Sequence, residues 1–135
     1  MKFAATVLAL VAAASTTVVK YDPVYNNPSQ SLDTVACSDG SNGLLNKGFT
    51  TFSSLPSYPN IGASQYVGGW NDADCGSCWN ITYQGKSTFF TAIDVATSGI
   101  VTSQTSLDKI TGGHAVEYGQ ITASVQRVAS SLCGL

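Results

Sequence analysis

At 135 residues the chain has room for one domain, and only 10% of it is charged, with a net charge of −2 at pH 7, against roughly 25% charged residues in ordinary globular domains. Its six basic residues form no cluster, which excludes the electrostatic footprint of nucleic-acid or anionic-membrane binding. A polar surface built from hydroxyls and amides instead suits uncharged partners such as polysaccharides.

The chain opens with MKFAATVLALVAAAST, in which Lys2 is followed by an apolar run from Phe3 to Ala14 broken only by Thr6, and then by small residues at Ser15 to Thr17. This is the pattern of a secretory signal peptide, assigned to residues 1–18, with residues 19–135 as the domain. The run is shorter than the roughly 20 residues needed to cross a bilayer. No later run approaches it, so a soluble, exported chain starting near Thr17 to Val19 is expected.

Residues 42–69 are dense in Gly, Ser, Pro and Asn and predict turns with one or two short helical pieces. Trp79-Asn80-Ile81-Thr82-Tyr83 alternates apolar and polar, Gln84-Gly85-Lys86 offers a turn, and Ser87 to Val95 is rich in Phe, Ile and Thr. These features predict a β-hairpin. Ser103 to Ile110 reads as a short helix with a capping serine, Leu107 and Ile110 on one face, and a Gly112-Gly113 stop. Gln120 to Val128 alternates again, with Ile121, Ala123 and Val125 on one face of a strand. Strands outnumber helices, and a compact, mainly β barrel pinned by disulfides is the economical architecture.

The stretch Asp74-Cys75-Gly76-Ser77-Cys78-Trp79-Asn80 resembles, letter by letter, the surroundings of a papain-type nucleophile. That enzyme class needs a His and an Asn about 130–150 residues further on. Only 57 residues of the 135 follow Cys78, and the sole histidine, His114, lies 36 positions downstream beside two glycines. A thioredoxin-like pair needs a lowered thiolate pKa, which Asp74 and Trp79 do not supply. A zinc site needs four ligands at regular spacing, and none is found, so no metal is expected. Export leaves structural disulfides as the reading for Cys37, Cys75, Cys78 and Cys133. Three connectivities are open. Joining Cys75 to Cys78 closes a very tight ring, whereas the pairs Cys37–Cys75 and Cys78–Cys133 close long loops worth roughly 4 kcal/mol each in the chain-entropy model.

Glycoside hydrolysis ordinarily uses two carboxylates. Asp94 ends the apolar strand FFTAID, where a charge must face a groove or solvent. Asp72 and Asp74 lie in a polar turn, and Asp108 and Glu117 suit a helix or strand surface, so no second acid matches it. Asn80-Ile81-Thr82 is a glycosylation sequon, with Asn80 outward if Trp79 and Ile81 point in. Asn27-Pro28-Ser29 is excluded by its proline.

Tyr21-Asp22-Pro23, Val35-Ala36-Cys37-Ser38-Asp39-Gly40-Ser41-Asn42-Gly43-Leu44, Tyr58-Pro59-Asn60-Ile61-Gly62, Cys75-Gly76-Ser77-Cys78-Trp79 and Ile93-Asp94 follow one another in this order. Over nearly the whole mature length the chain resembles a fungal cerato-platanin. The resemblance implies a six-stranded double-psi β-barrel with a few short helices, similar to expansin domain 1, barwin and certain endoglucanases. It also implies the pairs Cys37–Cys75 and Cys78–Cys133. Proteins of this kind are secreted or wall-associated, bind oligomers of N-acetylglucosamine (chitin), loosen cellulose without evident hydrolysis, self-assemble at interfaces and elicit plant defence, which implies a plant surface receptor.

The resemblance places the family's groove aspartate at Asp94, without the partner base of the endoglucanases. No catalytic residue and no cofactor are therefore expected. Tyr21, Asp22, Ser38 and Asp39 are candidate carbohydrate-binding residues on the same face, and an exposed Trp70 would stack on a sugar ring. The turn Val95-Ala96-Thr97-Ser98 after Asp94 is less polar than in many members. The expected function is non-catalytic carbohydrate binding with expansin-like wall loosening and elicitor activity. The alternatives are a surface-active, self-assembling structural protein and a weak glycoside hydrolase.

Overall fold

The computed structural model describes residues 14–135. The segment read as a signal peptide lies, through residue 13, outside the described residues. Six strands, β1 (Ser15–Tyr21), β2 (Ile61–Ser64), β3 (Cys78–Tyr83), β4 (Lys86–Val95), β5 (Ile100–Thr102) and β6 (Gln120–Val128), close into a barrel in the order β1-β5-β2-β4-β3-β6. The pairs β1–β5 and β2–β4 are parallel and the other four antiparallel. Hairpins alone cannot make that order, because parallel neighbours need crossover connections. The expected six-stranded barrel with short helices is thus what the chain forms.

The hairpin falls where the alternation placed it. Gln84 and Gly85 both take positive φ, 46° and 80°, as a two-residue type I′ loop requires, and Tyr83 pairs with Lys86 across it. Lys86 therefore belongs to the strand rather than to the turn. In β6, Ile121, Ala123 and Val125 are buried while Thr122 and Ser124 are exposed. The inward faces of the strands, with Val19, Ile81, Phe90 and Ala92 among them, form the core.

Helix α1 (Gln104–Thr111) starts at Ser103, whose Oγ accepts from the Ser106 N–H, and stops at Gly112 in the left-handed region. It buries Leu107 and Ile110 against the barrel. Helix α2 (Ala115–Tyr118) follows, its first N–H donating to Asp108 Oδ1 at 2.9 Å. Short 3₁₀ turns at Leu45–Lys47 and Phe52–Ser54 are the two helical pieces expected of the middle.

Both disulfides are those implied by the family resemblance, Cys37–Cys75 and Cys78–Cys133. Cys75 and Cys78 stand at the entrance to β3, so one short stretch is tied backward across 38 residues and forward across 55. Three strands escaped the sequence reading: β2 and β5 have only four and three residues, and β1 overlaps the stretch assigned to the signal. Only the last part of β1, Val19 to Tyr21, pairs with β5.

Candidate functional site

An irregularity in the sheet decides where Asp94 points. Along β4, Thr88, Phe90 and Ala92 face the core and are buried, and unbroken alternation would turn Asp94 inward as well. Opposite β2 the register shifts: Gly62 pairs with Ala92, but the next residue, Ala63, pairs with Asp94, so Ile93 is the extra residue of a β-bulge. Such an insertion flips the side chains beyond it. Asp94 therefore shares the outer face with Ala63. Gly62 lets β2 lie close to its other neighbour, β5, because a Cβ there would run into the carbonyl oxygen of Val101.

The register row continues from Asp94 through Ala63 and Val101 to Lys20 of β1. At about 4.8 Å per strand this row spans roughly 14 Å. Ala63, Val101 and Lys20 line an open depression of about 350 Å³ whose rim carries Asp22, Tyr25 and the turn Val95 to Ser98.

The Asp94 carboxylate is held in place. Oδ1 accepts from the N–H groups of Ala36 at 3.0 Å and Val95 at 2.9 Å, and Oδ2 accepts from the Tyr25 phenol at 3.4 Å. A carboxylate has about four acceptor positions, and these three donors fill three of them. Asp22 caps the 3₁₀ turn Pro23–Asn26, accepting from the Val24 N–H, and this turn buries Tyr25 beneath it, stacked on Phe52 at 5.8 Å. Burial, then the charge and hydrogen bond of Asp94, then the charge of Asp22, push the Tyr25 phenol above its ordinary value. Tyr25 stays a neutral donor aimed at Asp94.

Ser38 and Asp39 form a second cluster. Ser38 Oγ donates to Asp39 Oδ1 at 3.3 Å, and Trp70 Nε1 donates to the same oxygen at 2.6 Å. Trp70 is 62% exposed, and its loop is anchored by Asn42, whose N–H and side-chain amide donate to Asn71 Oδ1 and the Asn71 carbonyl. The segment Ala36–Asp39 links the clusters, since Ala36 touches Asp94 and Ser38 lies two residues, about 7 Å of chain, beyond it. Tyr21 does not join either group: it is half-buried and packs against the core.

Tyr25 and Lys20 are members of the site that sequence reading missed. The signal for Tyr25 was the Asp22-Pro23 start of a capped turn, which fixes the residue three positions on. Other carboxylates serve the fold. Asp72 accepts from the Gly68 and Asp74 N–H groups, Asp74 pairs with Arg127 at 2.6 Å, Asp108 caps α2, and Glu117 meets His114 at 2.7 Å. Among the described residues no group of three or more His, Cys, Asp or Glu is placed to hold a metal ion.

These features define a small barrel stapled by two disulfides, with an open polar depression beside one fixed carboxylate. A sequence model described as Cerato-platanin matches residues 17–135. The chain belongs to the cerato-platanin family. It is 46% identical to the heat-stable 19 kDa antigen of Coccidioides immitis over 122 residues, 90% of this chain and 84% of that protein. It is 33% identical to the cerato-platanin of Ceratocystis fimbriata f. sp. platani, over 90% of this chain and 87% of the other. Among solved structures, cerato-platanin 2 from M. perniciosa superposes with a TM-score of 0.86 at 43% identity, covering 90% of this chain and 100% of that one. The solution structure of the fungal elicitor Cerato-Platanin gives 0.76 at 31% identity, covering 86% and 95%.

Proposed function

We propose that this chain is a secreted, wall-associated, non-catalytic carbohydrate-binding protein that takes N-acetylglucosamine oligomers and uncharged wall glucans in the depression beside Asp94. The observation that carries this reading is the bulge-directed Asp94 carboxylate, held by three donors with one acceptor position on Oδ2 given no protein donor among the described residues, next to Val95 and Tyr25 of the open depression. A fixed acceptor beside a depression lined by the hydroxyls of Thr97 and Ser98, with Lys20 at its far side, matches the vicinal hydroxyls and amides of a neutral sugar. Hydrolysis asks for a second carboxylate acting on the same bond, and Asp22, the acid nearest this site along the rim, is engaged in capping its own turn.

Secretion is supported by the amino-terminal pattern and by two disulfides, which persist in oxidising compartments. Wall loosening follows if binding competes with chain-to-chain hydrogen bonds in the polysaccharide. The reading includes elicitor activity toward plants through a surface receptor, and its support is that one similar structure is described as a fungal elicitor.

Calorimetric titration with soluble N-acetylglucosamine oligomers tests the reading. Saturable binding that is lost in Asp94→Ala supports it, and a flat titration of the parent protein sinks it. Reducing ends released from soluble glucan, and abolished in Asp94→Asn, would replace it with weak glycosidase activity.

Exposed Trp70, Val116, Leu132 and Tyr118 favour a second reading, assembly at air–water or wall interfaces. Surface tension that stays at the buffer value across protein concentrations removes it.

A further inference from the structure

The outer face of β4, β3 and β6 lies well away from Asp94. Phe89 is five residues before Asp94 on the same strand, about 17 Å along it. On this face, Ser87, Thr82 and Ser124 stand in one register row across the three strands. Thr82 Oγ1 and Ser87 Oγ are 2.8 Å apart. The next row is Phe89, Asn80 and Gln126. Thr122, exposed two residues before Ser124, extends the face.

No charged side chain belongs to either row. Ser87 and Ser124 are exposed, Thr82, Asn80 and Gln126 half-buried, and Phe89 is 39% exposed. Phe89 also forms one wall of a depression shared with Tyr58, Lys109 and Leu132, so the aromatic ring sits at the border of the hydroxyl field and a hollow of mixed polarity, with Lys109 outside the two rows.

We infer that this charge-free sheet face is a second contact surface, which lies against the flat face of an insoluble, uncharged polysaccharide. Three features choose this occupant. Without charge, the face has nothing to recognise an anionic or cationic partner and nothing to repel a neutral one. Its hydroxyl and amide groups recur at the inter-strand spacing of about 4.8 Å and match a repeating array of sugar hydroxyls, while Phe89 offers a ring for stacking. Its extent, about 10 Å across three strands and about 14 Å along β6, falls far short of the roughly 800 Å² per partner of a stable protein interface, which disfavours a second copy. A repeating solid compensates for a small footprint, because neighbouring repeats offer the same contact again at high effective concentration. The inference does not depend on the Asp94 groove binding anything.

The test is a pelleting assay with crystalline chitin and microcrystalline cellulose, run on bacterially produced protein so that the Asn80 sequon carries no glycan. Ser124→Glu and Thr122→Glu place charge at exposed positions, and Phe89→Ala removes the ring. Each is checked by thermal melting. Retention on particles is expected to fall roughly tenfold in Phe89→Ala and at least as much in Ser124→Glu, while titration with soluble oligomers is unchanged. Asp94→Ala, by contrast, is expected to remain on particles. Unchanged retention of both Glu variants overturns the inference. So does sedimentation showing a dimer that the Glu variants dissociate, which would assign the face to a second copy of the chain.

Discussion

The Tyr25 phenol donates to Asp94 Oδ2 at 3.4 Å across 69 residues of sequence, joining the capped turn after β1 to the bulged end of β4. A buried donor thereby fixes an outward-facing acceptor. Several measurable properties rest on that pair and on its neighbours.

Replacing Tyr25 by Phe keeps the ring stacked on Phe52 and removes only the hydroxyl. One oxygen of Asp94 then loses its protein donor and can rotate toward solvent. Because the bond is long, the cost to stability is placed at the lower end of the usual range, about 1 kcal/mol. Affinity for soluble oligomers should fall severalfold, and a titration of Tyr25→Phe beside the parent protein checks it.

The same pair sets an alkaline limit. The folded state raises the Tyr25 phenol above its ordinary value of 10.0, so it holds that proton more tightly than the unfolded chain. This contribution is complete below the unfolded value and is lost as pH climbs above it, because the unfolded state then releases the proton first. Denaturation midpoints at about pH 8 and about pH 11 should differ more for the parent than for Tyr25→Phe. Equal differences would show that Tyr25 is not the group responsible.

Trp70 is largely exposed and held by Asp39, whereas Trp79 is buried and stacked on Tyr66 at 4.2 Å. Trp70→Ala should leave stability within about 0.5 kcal/mol. Only Trp70 emission should respond to sugar, so a fluorescence change on adding oligomers is expected in the parent and absent in Trp70→Ala. A response that persists would place the sugar elsewhere.

The Cys78–Cys133 bond closes a loop of 55 residues. In the chain-entropy model its loss costs about 4 kcal/mol, a large part of the 5–15 kcal/mol typical of a domain. Cys78→Ser/Cys133→Ser is expected to melt far below the parent, the carboxy-terminal 3₁₀ turn Ser130–Cys133 losing its tether to β3.

Asn80 Oδ1 is buried without a hydrogen-bond partner, at the centre of β3 opposite Phe89. An unsatisfied buried acceptor costs about 1–3 kcal/mol. Asn80→Val substitutes a β-branched, apolar side chain suited to a strand and should raise stability by about 1 kcal/mol. A urea denaturation curve that moves to lower midpoint would contradict this.

Local features of the fold are legible in the sequence. Ser103, Leu107, Ile110 and Gly112 mark helix α1 because capping and amphipathic spacing act within a few residues. The alternation in Gln120–Val128 and the Gln84-Gly85 turn are equally local. Asp94 stood out because a charge cannot end an apolar strand inside a core. The parallel pairing of β1 with β5 left no comparable trace, since Val19 and Ile100 are 81 positions apart and each segment is too short to show a period.

The sequence by itself determined the mainly β character and the charge-poor polar surface, and it singled out Asp94 as a charge that the core would not take, because composition, alternation and the cost of burying a charge are local quantities. Tertiary structure alone decided which way Asp94 faces and what holds it. Alternation from Phe90 and Ala92 would have sent its carboxylate inward, and only the meeting of β4 with Gly62 and Ala63, strands distant in sequence, inserts Ile93 and turns it out. The Tyr25 phenol and the Ala36 N–H reach Asp94 for the same reason: the barrel closes strands whose neighbours in space are not their neighbours in the chain.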